Sequence, residues 1–202
     1  MNIKNLYFYG FKDNSALSDV KAIIEGCLDG SRRDQELLYR RYAPRLYTVC
    51  LRYSDDDDEA KDILQEGFIR IFENLHTYRF EGSFEGWIRR IVVNTVLEKY
   101  RSKNVLYKVE DIDRLADTEQ EPDVEEYSNL DAKILMDIIK ELPPKYRMVF
   151  NLFAIEGYSH KEISKMIKIS EGTSKSNLSR ARDILQKKVE GYSIIKKTAV
   201  HG

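Results

Sequence analysis

Apolar residues recur every three or four positions along most of this chain, which is the spacing of one buried face on an α-helix. In the first half the pattern predicts helices over about residues 18–28, 31–43, 57–75 and 83–102, with Pro44 beginning or kinking a further segment that ends near Tyr53. In the second half it predicts helices over about residues 130–141, 144–156, 159–167 and 170–187. Helix breakers are few, with ten glycines and four prolines in 202 residues, and this supports an all-α fold.

The predicted helix over 57–75 has two distinct faces. Its core stripe consists of Ala60, Leu64, Phe68, Ile71 and Leu75. Its opposite face carries Asp62, Gln65, Glu66, Ile69 and Glu73. A single exposed isoleucine is common on protein surfaces, but an apolar residue ringed by acids is also how a protein interface is built. The pattern leaves both interpretations open, and an interface here would take a basic partner with an apolar notch.

The predicted helix over 83–102 carries a second candidate surface. Its buried side is expected to hold Phe84, Ile88, Ile91, Val92 and Thr95. A separate stripe contains Trp87, Arg90, Asn94, Leu97 and Arg101. Arginines bind phosphates, an asparagine reads base edges, and an aromatic ring stacks on an unpaired base, so the stripe suits nucleic acid. The alternative is that Trp87 belongs to the core and that the arginines are only solvated.

Residues 157–182 are predicted to form two short helices joined by a tight turn. Ser159 and Glu162 form a predicted capping box on the first helix, and Ser170 is the predicted N-cap of the second. The second helix is expected to bury Leu178, Ala181 and Leu185. Its other sides present Lys175, Ser176, Ser179, Arg180 and Arg182. Such hydroxyls and cations meet phosphates and base edges in a major groove, which is typical of a helix-turn-helix; the alternative is an ordinary helical hairpin with a solvated basic face.

Charge divides the chain into three blocks, although the formal net charge is only −1. Residues 1–105 balance to 0, residues 106–128 carry −7 and residues 129–202 carry +6. The acidic block contains too little apolar surface to pack, so we predict a flexible linker there, and the basic block should attract nucleic acid most strongly. The predicted divisions are a tail (1–17), a helical bundle (18–105), the acidic linker (106–128), a four-helix domain with the helix-turn-helix (129–190) and a second tail (191–202).

Several classes of protein are not indicated by these residues. No apolar run reaches the length of a membrane span and the N-terminus lacks a signal-peptide pattern, so we expect a cytoplasmic protein without membrane insertion. Cys27 and Cys50 are isolated and the three histidines are scattered, so neither a disulfide nor a metal site is predicted. The acids Asp55–Asp58 suit the start of a helix, and the alternatives are a metal site or a nuclease that uses them. Because no nucleophile–base pair or glycine-rich phosphate loop is present, we predict neither an enzyme nor a cofactor.

Three motifs, in this order, resemble those of bacterial sigma-70 factors. Residues 62–72 (DILQEGFIRIF) resemble the helix by which sigma factors bind core RNA polymerase, and residues 84–94 (FEGWIRRIVVN) resemble the start of their promoter-melting helix. Residues 142–158, followed by 171–182, resemble their C-terminal helix-turn-helix. The last motif also resembles that of response regulators, but the three in this order, split by an acidic linker, are highly specific. The chain resembles a sigma-70 factor of the small extracytoplasmic-function (ECF) group.

The resemblance implies a role for each surface. The residues implied to dock on the clamp of the largest polymerase subunit are Asp62, Gln65, Glu66 and Ile69. Those implied to engage the −10 promoter element are Trp87, Arg90, Asn94 and Arg101, and the loop from His76 to Gly82 would capture a flipped base. Those implied to bind the −35 element as duplex are Lys175, Ser176, Ser179, Arg180 and Arg182. The chain would thus direct core RNA polymerase to promoters, and the anti-sigma proteins that often hold such factors inactive are a further implied partner.

The main alternative is a stand-alone helix-turn-helix regulator. Such a protein would bind its DNA site tightly without polymerase, as a dimer, and the acidic face around Ile69 would remain unexplained. Asn177 and Ser179 stand where relatives often have bulkier or basic residues, so no −35 base preference follows from the resemblance. The aromatic set that housekeeping factors use to open DNA is reduced here mainly to Trp87.

Overall fold

The computed structural model describes residues 15–106 and 132–200, which form two separate compact units. The first contains α1 (Ser15–Leu28), α2 (Arg32–Tyr53), α3 (Asp57–Asn74), a 3-10 turn (Leu75–Thr77) and α4 (Phe84–Leu106). The second contains α5 (Ala132–Lys140), α6 (Pro144–Phe150), a π-helical turn (Asn151–Ile155), α7 (His160–Ile167) and α8 (Glu171–Val200). Every regular element in these two ranges is helical, which confirms the predicted all-α fold with two helical domains.

The linker predicted over 106–128 and the tail predicted over 1–17 lie almost wholly outside the described residues. Within the described ranges, no helix carries an apolar stretch long enough to cross a lipid bilayer.

The core of the first unit lies between α2, α3 and α4, with α1 packed on α2. The fully buried residues include Ile24, Leu38, Ile63, Ile71, Ile88 and Val92. The predicted core stripe of α3 is buried throughout, as expected. Gly67 allows α4 to approach α3 closely, because a Cβ atom built on it would lie 2.9 Å from Cγ2 of Val92. The two helices that carry the candidate surfaces are therefore held side by side by direct packing.

The acidic run before α3 is explained by helix capping. Asp56 is the N-cap, and its Oδ1 accepts a hydrogen bond of 2.7 Å from the backbone N–H of Glu59. Asp57, Asp58 and Glu59 occupy the first turn, where negative charge is stabilised by the helix dipole. These contacts support the predicted role of the run at a helix start.

Pro44 does not begin a separate segment as one of the two predictions had it, because α2 is a single helix with Pro44 inside it. A proline in a helix interior removes one backbone hydrogen bond and costs about 3 kcal/mol. Buried residues on both sides of Pro44 offset this cost by keeping both halves of α2 on the same core: Leu38, Tyr42, Ala43, Leu46, Val49 and Cys50.

The second unit packs α6 and α7 against α8. Its fully buried residues include Ile138, Val149, Leu152, Ile163, Ala181 and Leu185. Pro144 occupies the first turn of α6, and Gly157 follows the helix with a φ of +81°, as the sequence predicted. The π-helical turn was not predicted; in it the N–H of Glu156 bonds the carbonyl of Asn151 at 2.9 Å, five residues back.

The helix-turn-helix has the predicted geometry. The capping box is present, with Ser159 Oγ accepting from the N–H of Glu162 at 3.3 Å and Glu162 Oε2 accepting from the N–H of Ser159 at 2.8 Å. Ser170 Oγ accepts from the N–H of Thr173 at 2.9 Å. Lys168 makes the turn in the left-handed conformation, with a φ of 57°. The helix α8 continues to Val200, past residue 190, where the second tail was predicted to begin.

Both cysteines lie in the first unit and are buried. Burial raises the pKa of the Cys27 thiol to about 11 and that of the Cys50 thiol to about 12. Both thiols are therefore held in the protonated form near neutral pH.

Candidate functional site

The first candidate surface is the side of α3 that faces away from the core, which we call the acidic face: Asp62, Gln65, Glu66 and Ile69. Asp62 and Gln65 are exposed, and the Ile69 side chain is 48% exposed. Glu66 is partly exposed and accepts a 2.8 Å hydrogen bond from Nε of Arg70. The structure therefore brings the four predicted residues together around an exposed apolar centre.

Sequence reasoning missed a neighbouring apolar residue, Tyr39 of α2. Its ring is exposed and lies 4.5 Å, centroid to centroid, from the ring of Phe68 on α3. Phe68 in turn lies 6.0 Å from Phe72, which is partly exposed. Apolar surface thus continues from α3 onto α2, and the sequence signal that could have found it is an aromatic residue directly after the core residue Leu38.

The second candidate surface lies on α4, which we call the α4 stripe: Trp87, Arg90, Asn94 and Arg101. Arg90 and Asn94 are exposed, and Arg101 is partly exposed. Nε of Arg101 donates to the carbonyl of Leu97 at 3.2 Å, which places the guanidinium against its own helix. Trp87 is partly buried, so neither the fully exposed nor the core interpretation holds for it.

The placement of Leu97 in this stripe is wrong, because Leu97 is 2% exposed and belongs to the core. The physical reason is that α4 packs against both α2 and α3, so its buried face is wider than one stripe. Its neighbour Glu98 is the exposed residue at this level of the helix. Since Glu98 follows Asn94 by four residues and precedes Arg101 by three, it shares their face.

Glu98 is bonded across the helix pair to Arg70 of α3. Nη1 of Arg70 donates to Oε2 of Glu98, while Nε of the same guanidinium donates to Oε1 of Glu66. An ion pair thus joins the acidic face to the α4 stripe. Sequence reasoning could not have found it, because Arg70 and Glu98 are 28 residues apart and on different helices.

A cluster of aromatic rings stands at the start of the α4 stripe. The ring of Tyr78 lies 5.1 Å from Phe80, 5.1 Å from Phe84 and 5.5 Å from Trp87. Its hydroxyl donates to the carbonyl of Gly82 at 3.0 Å and so closes the loop on itself. Sequence reasoning did not find this cluster, for which several aromatic residues within ten positions were the available signal.

Phe80 is the exposed member of the aromatic cluster. Its side chain is 46% exposed, and its backbone has a φ of 58°. A bulky residue in this left-handed region is strained by about 1–3 kcal/mol, and such strain clusters at functional sites. Nζ of Lys21, from α1, lies 5.7 Å from the centre of the ring. The loop therefore presents an exposed aromatic ring with a cation over one of its faces.

The third candidate surface is the exposed side of α8 in the helix-turn-helix. Lys175 is exposed, and Ser176 and Ser179 are partly exposed. Nη1 of Arg180 donates to the Tyr146 hydroxyl at 3.1 Å, and the guanidinium of Arg182 lies 5.9 Å from the ring centre of Phe153. The two arginines are thus oriented by side chains from α6 and from the π-helical turn rather than being only solvated.

His160 connects the two helices of the helix-turn-helix. Its Nδ1 lies 2.8 Å from Oγ of the buried Ser174, and its ring stacks on Phe153 at 4.5 Å. Burial, and then the charges of Lys175 and Arg182, lower the pKa of His160, while Glu171 acts in the opposite direction. The neutral imidazole is therefore the favoured form, close to the candidate DNA-binding cations.

In the ranges 15–106 and 132–200, no group of three or more histidine, cysteine, aspartate or glutamate residues is placed to hold a metal ion. An open groove of about 710 Å³ does lie between α3 and α4. Its acidic lining residues include Asp55, Asp58, Asp62, Glu66 and Glu98, and Arg70 and Lys99 also line it.

Comparison with known proteins shows which family this chain matches. The family model "Sigma-70 region 2" matches residues 38–105, and "Sigma-70, region 4" matches residues 132–185. The chain is 32% identical over 152 residues to the ECF RNA polymerase sigma factor SigE of Mycolicibacterium smegmatis, covering 74% of this chain and 59% of that relative. It is 30% identical over 163 residues to the ECF RNA polymerase sigma factor SigW of Bacillus subtilis, covering 73% of this chain and 84% of that relative.

Among solved structures, the sigma factor RpoE in complex with the anti-sigma factor NepR from Bartonella quintana matches 78% of this chain and 98% of that chain. The identity is 20% and the TM-score is 0.47, too low a similarity to support a functional argument.

Proposed function

The chain belongs to the extracytoplasmic-function group of sigma-70 RNA polymerase sigma factors, and on that premise we propose which of its surfaces direct core RNA polymerase to promoters. It acts by binding, and the chemistry of RNA synthesis belongs to the polymerase. The acidic face binds polymerase, the α4 stripe and its aromatic cluster bind the −10 element, and α8 binds the −35 element. Its place of action is then the cytoplasm, where polymerase and DNA are.

The acidic face is the proposed polymerase surface because it combines an exposed apolar residue with a charged rim. Ile69 supplies the apolar contact, and Asp62 and Glu66 supply negative charge. Interfaces typically have such an apolar centre and polar rim, and complementary charge speeds association with a basic partner.

The −10 element is proposed to bind as a single strand. Arg90 and Asn94 are free to reach phosphates and base edges from the exposed side of α4. Phe80 offers a strained, exposed ring on which an unpaired base can stack, an interaction worth about 1–3 kcal/mol per base. The aromatic cluster beneath it holds the loop in place.

The −35 element is proposed to bind as duplex on α8. Lys175 and Ser176 lie in the first turns of α8, the part of a recognition helix that contacts base edges. Arg180 and Arg182 are pre-oriented by Tyr146 and Phe153, which lowers the entropy lost when an arginine binds DNA.

The observation that carries the proposal is the direct packing of the acidic face and the α4 stripe on one helical unit, with a helix-turn-helix in the same chain. Docking on polymerase would hold the two DNA-binding units at a fixed separation, so that two weak contacts act together. An anti-sigma protein, implied by the resemblance to the ECF group, would act by covering one of these surfaces.

Transcription in vitro tests the proposal. The purified chain is added to core polymerase free of sigma factor, with fragments of genomic DNA from its own bacterium, and RNA 5′ ends are mapped. We expect discrete new start sites that share two spaced upstream boxes. If the same core polymerase responds to a control sigma factor but gives no specific starts with this chain, the proposal fails and a stand-alone regulator is the better assignment.

A further inference from the structure

The face of α4 that carries the α4 stripe also carries a carboxylate, at a position where nucleic acid is expected to bind. Glu98 lies between Asn94 and Arg101 on the same face of α4, and its side chain is 49% exposed. A free carboxylate here would repel the phosphates that the neighbouring arginines attract. The stripe can serve DNA only if this charge is compensated.

Arg70 supplies that compensation from α3. Its Nη1 donates to Oε2 of Glu98, and its side chain is only 30% exposed, so the pair is partly shielded from water. The groove around it is lined mainly by carboxylates, so the guanidinium lies in a negatively charged setting. The bond from Nε to Glu66 fixes the plane of the guanidinium from the other side.

We propose, on the basis of the function proposed above, that Arg70 is a positioning residue for the −10 strand: by pairing with Glu98 it keeps the α4 stripe accessible to phosphates. Arg70 itself does not contact DNA. Its effect passes through Glu98, so removal of the Glu98 charge makes Arg70 dispensable for strand binding. A role only in holding α3 against α4 would give a different result. The bridge between the two helices is lost whether Arg70 or Glu98 is replaced, so both single variants would then be impaired.

The experiment measures the affinity of the holoenzyme for promoter DNA in which the −10 non-template strand is left unpaired. The promoter is one that the start-site mapping identifies. The variants are Arg70→Gln, Glu98→Gln, the double variant and Arg70→Lys. Arg40→Gln is the matched control, because Arg40 forms an exposed ion pair with Glu36 on α2. Thermal melting and core-polymerase binding are recorded for each variant.

We expect Arg70→Gln to weaken strand binding about 3- to 5-fold, because the unpaired, partly exposed carboxylate of Glu98 then repels the phosphates. Glu98→Gln should bind at least as tightly as the unmodified chain, and the double variant should return to within about twofold of it. Arg70→Lys, which keeps the charge, and Arg40→Gln should both stay within about twofold. The loss in Arg70→Gln should shrink as salt is added.

Two outcomes would overturn this inference. One is an Arg70→Gln holoenzyme that binds the strand normally; the other is a double variant that binds as poorly as Arg70→Gln. If Arg70→Gln does not fold, a Glu98→Gln holoenzyme that binds at least as tightly as the unmodified one supports the inference, and one that binds more weakly contradicts it. Failure of the unmodified holoenzyme to bind its mapped promoter would instead contradict the proposed function.

Discussion

His160 is a single side chain whose charge state affects the whole helix-turn-helix. The neutral ring bonds Ser174 of α8 and stacks on Phe153, and the charged groups that face it are Lys175, Arg182 and Glu171. Its pKa is lowered in the folded chain from the ordinary value of 6.5. The unfolded chain therefore takes up the proton first as the pH falls.

We predict that the helix-turn-helix unit loses stability as the pH falls from about 7.5 through about 6.5, and that the loss levels off below the lowered pKa of His160. His160→Gln should flatten this dependence, because glutamine can still bond Ser174 but does not titrate. Thermal melting of the full chain between about pH 7.5 and pH 5.5 measures the effect, and this window lies above the titration of the capping residue Glu162. An unchanged pH dependence in the variant would contradict the assignment.

Local polar signals made the caps predictable. The capping bonds of Ser159, Glu162 and Ser170 join groups only three residues apart in the chain. Their spacing alone therefore predicted the start of α7 and of α8. Lys168 gave no such signal, because the left-handed turn it makes is normally made by glycine or asparagine. Phe80 was likewise unpredictable as an exposed residue, since its strained backbone depends on the loop around it.

At the scale of a helix, periodicity located the faces of α3 correctly and one face of α4 incorrectly. α3 shows one side to the core and the other to solvent, so its stripe could be read directly. α4 packs against two helices, so Leu97 is buried and Glu98 takes the exposed position. Likewise Pro44 and the π-helical turn depend on tertiary packing, which overrides local preference. The assignment of individual residues to polymerase and DNA stays a prediction.

The acidic face of α3 gives a prediction at this scale. Asp62→Lys combined with Glu66→Lys should lower affinity for core polymerase at least about tenfold, because like charges then meet at the interface. Binding of −35 duplex DNA should be unchanged. Titration of labelled chain with core polymerase measures the first effect.

The matched control reverses two exposed acids with the same spacing in the second unit, Asp137→Lys on α5 with Glu141→Lys just after it, and it also breaks the ion pair between Glu141 and Lys188. It changes net charge equally and should bind core polymerase normally. If both double variants lose affinity alike, or if neither does, the polymerase surface has been placed wrongly.

At the scale of the whole molecule, the charge division along the chain predicted the two helical units that the structure contains. The prediction rested on composition, because a segment rich in acids and poor in apolar residues is expected to contribute little to a core. The basic charge of the C-terminal block then predicts how salt acts on the complete complex.

Lys175→Gln and Arg182→Gln should each reduce the slope of log affinity against log salt by about one unit when the holoenzyme binds promoter duplex. Lys187→Gln is the control, because Lys187 lies about 18 Å along α8 from Lys175 and outside the proposed contact. Filter binding or fluorescence anisotropy over a range of salt concentrations measures the slopes. Equal slopes in all variants would mean that these cations do not neutralise phosphates.

The burial of both thiols has a consequence for signalling. A cysteine reacts with oxidants and electrophiles as its thiolate, and pKa values of about 11 for Cys27 and about 12 for Cys50 leave almost none of that form near neutral pH. These are the only cysteines in the chain. A cell under oxidative stress would therefore not switch this factor through its own thiols; such a stimulus would act through what binds the chain or through how much of it is made.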